Sequence, residues 1–438
     1  MLSPHHVAGS NLCAHRAHLT NSGKSERNLT SLVWQSRCPV IILLGISSLL
    51  IACGGSTGTS NGGTSSPPPP TIPKVYTAWG DSLTAGCEDG TQPSCAYPYE
   101  LAQLGSYKTV NNQGIGGQTS TQIAVRMGAV PTSVTNTFTI PASGSVSGVT
   151  FESGHEPCFN VGSPGLVEGT IDNVQVYCQS MGAGNYTLTR VAAGSQQIVN
   201  SGDPWTPVLS DGVLSGMNII WAGRNDTSLC PTSNVTTENC PAASNIEVMR
   251  SYITAHKGQY LVLTVLHGVL EGAEPSSAYE WTKAINTWIL ATFPSNSLEI
   301  NTPVIAAYNP NNGADVLDHE QGFPPFSLRA FDYNGNLAAA ITDPGTCAIS
   351  FGKTVPRLYI VTVASEYILI TAGTDGAYTC TRGYGGTTAA IHASASPWTA
   401  ADPLHLSGDG SANKNNPNGT GYTVVAKAVQ QWLAEHQQ

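Results

Sequence analysis

Two short segments near opposite ends of the chain hold residue types suited to acyl-transfer chemistry. Behind the apolar run Val75 to Trp79 stands Gly80-Asp81-Ser82-Leu83. This pattern reads as a strand closing in a sharp turn that presents one serine hydroxyl at the top of a sheet. A serine is a weak nucleophile until it is exposed, aligned and next to a base. Asp402-Pro403-Leu404-His405 supplies such a base. A carboxylate three residues before an imidazole can hold the ring from one side while the other ring nitrogen faces a hydroxyl. Ser82 is thus the candidate nucleophile, His405 the proton shuttle and Asp402 its orienting carboxylate. No Cys-x-x-Cys or His-Glu-x-x-His spacing points to a metal, and the chemistry calls for no cofactor. His155, His267, His319 and His392 lack a partner pattern and read as satisfied or surface histidines.

The elements that must position these residues alternate between strand and helix. Tyr97 to Leu104 reads as a short helix, Thr109 to Asn112 as a strand, and Thr119 to Met127 as a helix capped by Thr119 or Ser120. Met217 to Trp221 is a buried strand that delivers Gly223-Arg224-Asn225-Asp226. Asn245 to His256 is helical, Tyr260 to Leu266 is a strand, and Ala278 to Phe293 is an amphipathic helix. A terminal helix covers Thr423 to His436. Strands this uniformly apolar suit a parallel sheet covered on both faces. The alternation fails twice. Between residues 130 and 206 Thr, Ser, Gly and Val alternate in polarity as in short antiparallel strands, and between 331 and 397 the segments Tyr359 to Ala364, Tyr367 to Thr371 and Ala377 to Thr381 alternate like a β-meander bounded by glycines. Both stretches read as β-rich insertions.

Four blocks in order, Gly80 to Leu83, Asn112-Gln113-Gly114-Ile115-Gly116-Gly117, Gly223 to Asp226 and Asp402 to His405, make the chain resemble the SGNH (GDSL-type) serine hydrolases. The ordered set is far more specific than any single block. The resemblance implies a flavodoxin-like three-layer α/β fold with a parallel sheet, interrupted here by the two β-rich insertions. It implies an oxyanion hole made of the backbone N–H groups of Ser82 and Gly117 and the side-chain amide of Asn225. Gln118 departs from the family, many of whose members carry an acidic residue after the glycine. Asp226 receives no role.

Of the 438 residues only 11% are charged, whereas 40% are hydrophobic, Gly (46) and Pro (28) are plentiful and the formal net charge is −10. That balance favours an exported, loop-rich protein and disfavours nucleic acid as a partner. Pro39 to Ala52 is an apolar run behind Arg37, short for a membrane span and shaped like the core of a signal peptide. Leu50-Ile51-Ala52-Cys53 resembles a bacterial lipobox, which implies lipid attachment at Cys53. Residues 54–73 then form a Gly/Ser/Thr and proline tether. The organisation expected begins with a leader and lipoprotein signal (1–53) and the tether (54–73). A hydrolase domain follows in three segments, 74–129, 207–330 and 398–438, the last carrying Asp402 and His405. The inserted β-domain (130–206) and the second β-rich insertion (331–397) separate them.

Of eleven cysteines, setting aside Cys13, Cys38 and Cys53 leaves eight, an even number in an exported chain. Sequential pairing is the simplest arrangement: Cys87 with Cys95, Cys158 with Cys178, Cys230 with Cys240 and Cys347 with Cys380. The expected protein is an esterase anchored by lipid in a bacterial cell envelope, at the outer membrane or facing the periplasm. It would touch the membrane only through that anchor and would act on ester substrates. Export and the insertions are similar to those of O-acetylesterases of carbohydrate and cell-wall polymers. A lipase or arylesterase acting on acyl chains, or a non-catalytic binding protein on the same scaffold, are the alternatives. Phe151, Tyr177, Tyr186, Trp205, Tyr359 and Tyr384 in the insertions could stack on sugar rings, although core packing is the more usual role.

Overall fold

The computed structural model describes residues 75–436 except 87–94, 106–109, 161–165, 183, 227–228, 273–275, 332 and 409–415. The leader, the tether, Cys53 and Cys87 lie outside the described residues. From Tyr76 the chain forms β1 (Tyr76–Gly80), the one-turn helix α1 (Ser82–Ala85), α2 (Tyr97–Leu104), β2 (Val110–Gly114) and α3 (Ser120–Met127). Strands then follow one another: β3 (Thr132–Ser133), β4 (Phe138–Ile140), β5 (Ser145–Val149), β6 (Leu166–Ile171), β7 (Val174–Ser180), β8 (Tyr186–Arg190), β9 (Gln197–Val199) and β10 (Pro204–Pro207). Alternation resumes with β11 (Met217–Trp221), α4 (Pro241–Ala255), β12 (Gln259–Leu263), α5 (Ser277–Thr292), β13 (Ser297–Leu298), α6 (Asn301–Ala306) and α7 (Gly313–Glu320). A last group comprises β14 (Tyr333–Asn336), β15 (Ile360–Val363), β16 (Glu366–Thr374), β17 (Ala377–Arg382) and β18 (Pro397–Ala401), before α8 (Gly421–His436).

The fold is mixed α/β. Strands β13, β12, β11, β1 and β2 lie side by side in that order, every pair parallel. Side-chain alternation divides two apolar cores between the faces of this sheet. Ala78, Met217, Ile219, Trp221, Leu261 and Leu263 pack against α2 and α8, while Trp79, Ile220 and Val262 pack against α3, α4 and α5. Three layers follow, because a parallel sheet joined by helical crossovers must be covered on both sides. By order of occurrence the strands run second, first, third, fourth, fifth, so the winding reverses between β1 and β11. Crevices outside the carboxyl ends of strands at such a reversal are where α/β sheets bind ligands.

The two other strand groups form antiparallel sheets, β3-β10-β6-β7-β8-β5 and β14-β18-β15-β16-β17, with β4 paired to β9. The first has its own core of Phe151, Val176, Tyr186, Leu188 and Trp205, and the second one of Phe351, Val361, Ile368 and Trp398. The aromatic residues Phe151, Tyr186 and Trp205 pack edge to face inside the first core and are not displayed for stacking on a ligand. The last sheet extends past position 397: β18 belongs to it and runs straight into Asp402.

Among the described residues three cysteine pairs are disulfide-bonded, Cys158–Cys178, Cys230–Cys240 and Cys347–Cys380, with Cα atoms 5.8, 4.4 and 5.7 Å apart. They follow the sequential scheme and are typical of exported proteins. Among the described residues no helix is long and apolar enough to cross a membrane.

Candidate active site

The site assembles at the carboxyl ends of β1, β2 and β11. β1 ends at Gly80, where a side chain has no room: a Cβ would lie 2.5 Å from the carbonyl of Trp221 on the neighbouring strand. Asp81 caps α1 by accepting the Leu83 N–H at 3.0 Å. That cap turns the chain sharply and places Ser82 at the first helical position. Burial pushes the Asp81 carboxyl up to about 6, opposed by the Leu83 N–H and by the charges of Arg224 and His405.

The imidazole arrives from the far end of the sequence. His405 Nε2 lies 3.0 Å from Ser82 Oγ across 323 positions of chain, and its Nδ1 lies 3.3 Å from Asp402 Oδ2. The other carboxylate oxygen of Asp402 accepts the N–H groups of Leu404 and His405, each at 2.6 Å. This tight turn folds the short segment so that carboxylate and ring face each other. Burial pushes the Asp402 carboxyl up, but its bond to the His405 ring, that ring's charge and the two backbone N–H groups outweigh burial and hold it at about 2. Asp402 is therefore an anion at any pH at which the protein would work, as an orienting carboxylate must be.

The segment rests on a short antiparallel contact. Ala330 N–H donates to the His405 carbonyl at 2.8 Å, Asp402 N–H to Ala330 at 2.9 Å, and Ser407 N–H to Leu328 at 2.8 Å. The buried guanidinium of Arg329 is fixed in turn by Asp318 at 2.5 Å and by the Pro324 carbonyl at 3.0 Å.

Of the residues expected to serve as oxyanion donors, Gly117 lies on the loop beside Ser82, and Asn225 is bonded to that loop. Gly117 has φ +76°, a conformation that disfavours any residue with a Cβ, and the turn closes with Gln118 N–H donating to Ile115. A Cβ on Gly116 would fall 3.9 Å from that of Ser82, so this loop lies alongside the serine. Asn225 sits on the short 3₁₀ turn Arg224–Asp226 after β11 and donates one amide hydrogen to the Gln118 carbonyl at 2.9 Å. That bond ties the loop of Gly117 to the turn of Asn225 and uses one of the amide's two hydrogens. Asn225→Ala is expected to lower turnover of a short-chain aryl ester by about two to three decades, roughly 3 to 4 kcal/mol. Steady-state kinetics on variant protein with an unchanged circular dichroism spectrum checks this.

Several supports are not legible in the sequence. Asp226, to which local pattern gives no role, is buried and accepts both the N–H and the hydroxyl of Ser120, at 2.9 and 2.8 Å, thereby holding the first turn of α3. Burial raises its carboxyl, and those two bonds oppose the rise. Arg126 donates to the Gly80 carbonyl at 3.2 Å, to Gln113 at 3.3 Å and to Gln118 at 3.0 Å, bracing the strand end beneath Ser82. Burial among apolar groups lowers this guanidinium to about 9. Arg224 pairs with Glu271, whose other oxygen accepts the Gly268 N–H at 2.7 Å; the next residue, Val269, donates to the Pro403 carbonyl at 2.9 Å. The Asn225 turn is thus coupled to the backbone between Asp402 and His405. An arginine inside an apolar helix face (Ile123-Ala124-Val125-Arg126) is the one available hint.

Gln118 gives the departure from the family pattern a physical reason. Its amide donates to the carbonyls of Pro157 and Phe159 at 3.2 and 3.1 Å, on either side of the disulfide-bonded Cys158. A carboxylate has no proton for either carbonyl. The glutamine joins the loop beside Ser82 to the first antiparallel sheet.

The four other histidines singled out in the sequence take no part in the contacts among Ser82, His405 and Asp402. His392 bonds Glu366 at 2.8 Å, His267 is buried between the carbonyls of Gly322 and Gly272, His319 stacks on Tyr308, and His155 faces the Ser153 carbonyl. Among the described residues no cluster of His, Cys, Asp and Glu could hold a metal ion.

No family model matches the chain, and no curated protein matches it. Among solved structures it is similar to a crystal structure described as a possible lipase from Chitinophaga pinensis. The identity is 12% and the TM-score 0.34, over 82% of this chain and 98% of the other.

Proposed function

We propose that this chain is a serine esterase of the SGNH type, built on a flavodoxin-like sheet and exported to act on carboxylic esters through an acyl-enzyme. The observation that carries this reading is the 3.0 Å approach of Ser82 Oγ to an imidazole whose opposite nitrogen faces a buried anionic carboxylate. His405 Nε2 takes the proton as Oγ attacks the ester carbonyl, and Asp402 stabilises the imidazolium formed. Negative charge on the carbonyl oxygen is met by the N–H groups of Ser82 and Gly117 and the second amide hydrogen of Asn225. The imidazolium then protonates the leaving alcohol, water attacks the acyl-enzyme with His405 as base, and the serine is regenerated. The sheet order, with its reversal between β1 and β11, supports the flavodoxin-like assignment.

The favoured substrates are O-acetyl esters on a carbohydrate or cell-wall polymer. A loop of the first β-rich insertion lies beside the serine loop, where Asn160 Oδ1 would be 3.5 Å from a Cβ on Gly116, so the insertion borders the region in which the substrate would sit. Cys53 would carry the lipid that tethers the enzyme to the envelope, with residues 54–73 as the spacer. The test is a screen of protein lacking the first 73 residues against acetyl, butyryl and longer aryl esters and against an O-acetylated polysaccharide. Acetyl release exceeding long-chain turnover is expected. Turnover of long-chain esters alone would assign a lipase, and no turnover together with no labelling by a phosphonate probe would assign a binding protein.

A further inference from the structure

The last antiparallel sheet reaches into the site. β15 and β18 pair with Ile360 opposite Ala401 and Val361 opposite Ala400, so one further step along the ladder sets Tyr359 opposite Asp402. The Tyr359 hydroxyl donates to Asp402 Oδ2 at 2.8 Å, and this is the oxygen that faces His405 Nδ1. The remaining oxygen is already held by two backbone N–H groups. Nothing in the sequence marks Tyr359 beyond its being aromatic, because the juxtaposition depends on a register set by distant strands.

We propose that Tyr359 is a positioning residue of the serine site, a phenol supplied by the second β-rich stretch that fixes the Asp402 carboxylate so that Oδ2 addresses the imidazole. The proposal rests on the serine-esterase reading. The orientation of the ring is set independently of the bond. Leu358, the preceding residue, has φ +68°, an uncommon conformation for a bulky side chain and one that gathers at functional sites. Leu358 N–H donates to the Ile370 carbonyl at 2.7 Å and Ile370 N–H returns a bond to Tyr359 at 3.0 Å, clasping this unusual backbone on both sides. The phenol ring itself packs edge-on against Tyr333, centroids 5.8 Å apart, and Tyr333 in turn leans on Trp398 of β18. A rigid aromatic group within the sheet therefore delivers the hydroxyl to a carboxylate oxygen that the site needs in one place.

The consequence is that this sheet forms part of the catalytic apparatus. Phenol, carboxylate and imidazole stand in a row, Tyr359 Oη to Asp402 Oδ2 to His405 Nδ1, and only the last two come from the blocks of the family pattern.

A double-mutant cycle between Tyr359→Phe and Asp402→Asn tests this, read out as kcat and KM on a short-chain aryl ester, as the rate of phosphonate labelling and as Tm. Tyr359→Phe alone should lower kcat and the labelling rate about tenfold, in keeping with the loss of a bond to a charged group. KM should stay within about twofold and Tm within a few degrees. In the Asp402→Asn background the same change should alter kcat by less than about twofold, since the two residues act as one unit. Undiminished kcat in Tyr359→Phe would overturn the positioning role. So would a tenfold loss that persists when Asp402 is already asparagine, or one accompanied by a matching collapse of Tm. Wild-type protein that neither labels nor turns over would overturn both this proposal and the esterase reading. Wild-type protein that labels normally beside an unaffected Tyr359→Phe overturns the positioning role alone.

Discussion

Ser82→Ala is expected to lower kcat/KM on a short-chain aryl ester by about five to six decades, roughly 7 to 8 kcal/mol of transition-state stabilisation. Removing Oγ deletes the atom that forms the acyl-enzyme, and no rearrangement of the remaining groups can replace a covalent step. What survives is the contribution of binding and of the oxyanion donors to direct attack by water. Folding should be almost unaffected, because Ser82 is only partly buried and α1 takes its cap from Asp81, not from Ser82. The pair of measurements is steady-state kinetics and thermal unfolding on the same preparation. Retention of most of the activity, with Tm unchanged, would show that the nucleophile lies elsewhere.

Asp402→Asn ranks second, with an expected loss of about four decades in kcat. Asparagine is close in shape and can keep its oxygen on the Leu404 and His405 N–H groups, so the turn that carries His405 should persist. Its amide nitrogen would then face His405 Nδ1 and Tyr359 Oη where an acceptor stood. An N–H donor at that place favours the tautomer with the proton on Nε2, which cannot take a proton from Ser82. The variant also lacks the charge that steadies the imidazolium. Kinetics compared with Ser82→Ala on the same ester gives the order of effects: the serine variant should be the more damaged by about one to two decades. Equal activity of Asp402→Asn and wild type would remove Asp402 from the mechanism.

The features of this site that can be read in the sequence are those for which residue type and local pattern suffice. Ser82, Asp402 and His405 announce themselves by chemistry, and the limits of β11 are legible because four of its five residues are apolar. Helices α3, α5 and α8 fall within two residues of their expected limits, since caps and apolar periodicity mark them locally. The short helix α6 has no such marks, and α7, although Asn312 caps it, opens inside Asn309-Pro310-Asn311-Asn312-Gly313, a run that reads as a turn. Asn301-Thr302-Pro303 and Gly313 carry weak helix propensity, and α7 is held by tertiary bonds of Asp315 and Asp318 to Ser327 and Arg329. Tyr359, Asp226 and Glu271 are invisible in the sequence for the same reason, and Arg126 shows there only as a charge among apolar helix residues. Each acts on a residue far away along the chain, through strand register or loop packing that no local pattern encodes. Gln118 stands out in the sequence only as a departure, and its purpose emerges with the carbonyls of Pro157 and Phe159.

The central claim is that His405 activates Ser82 as a nucleophile. Intact mass and peptide mapping after treatment with an organophosphonate serine probe test it most directly. One adduct per chain, located on Ser82 and absent from His405→Ala, is the expected result. No adduct on folded wild-type protein, or an adduct on another residue with Ser82 unmodified, would contradict it.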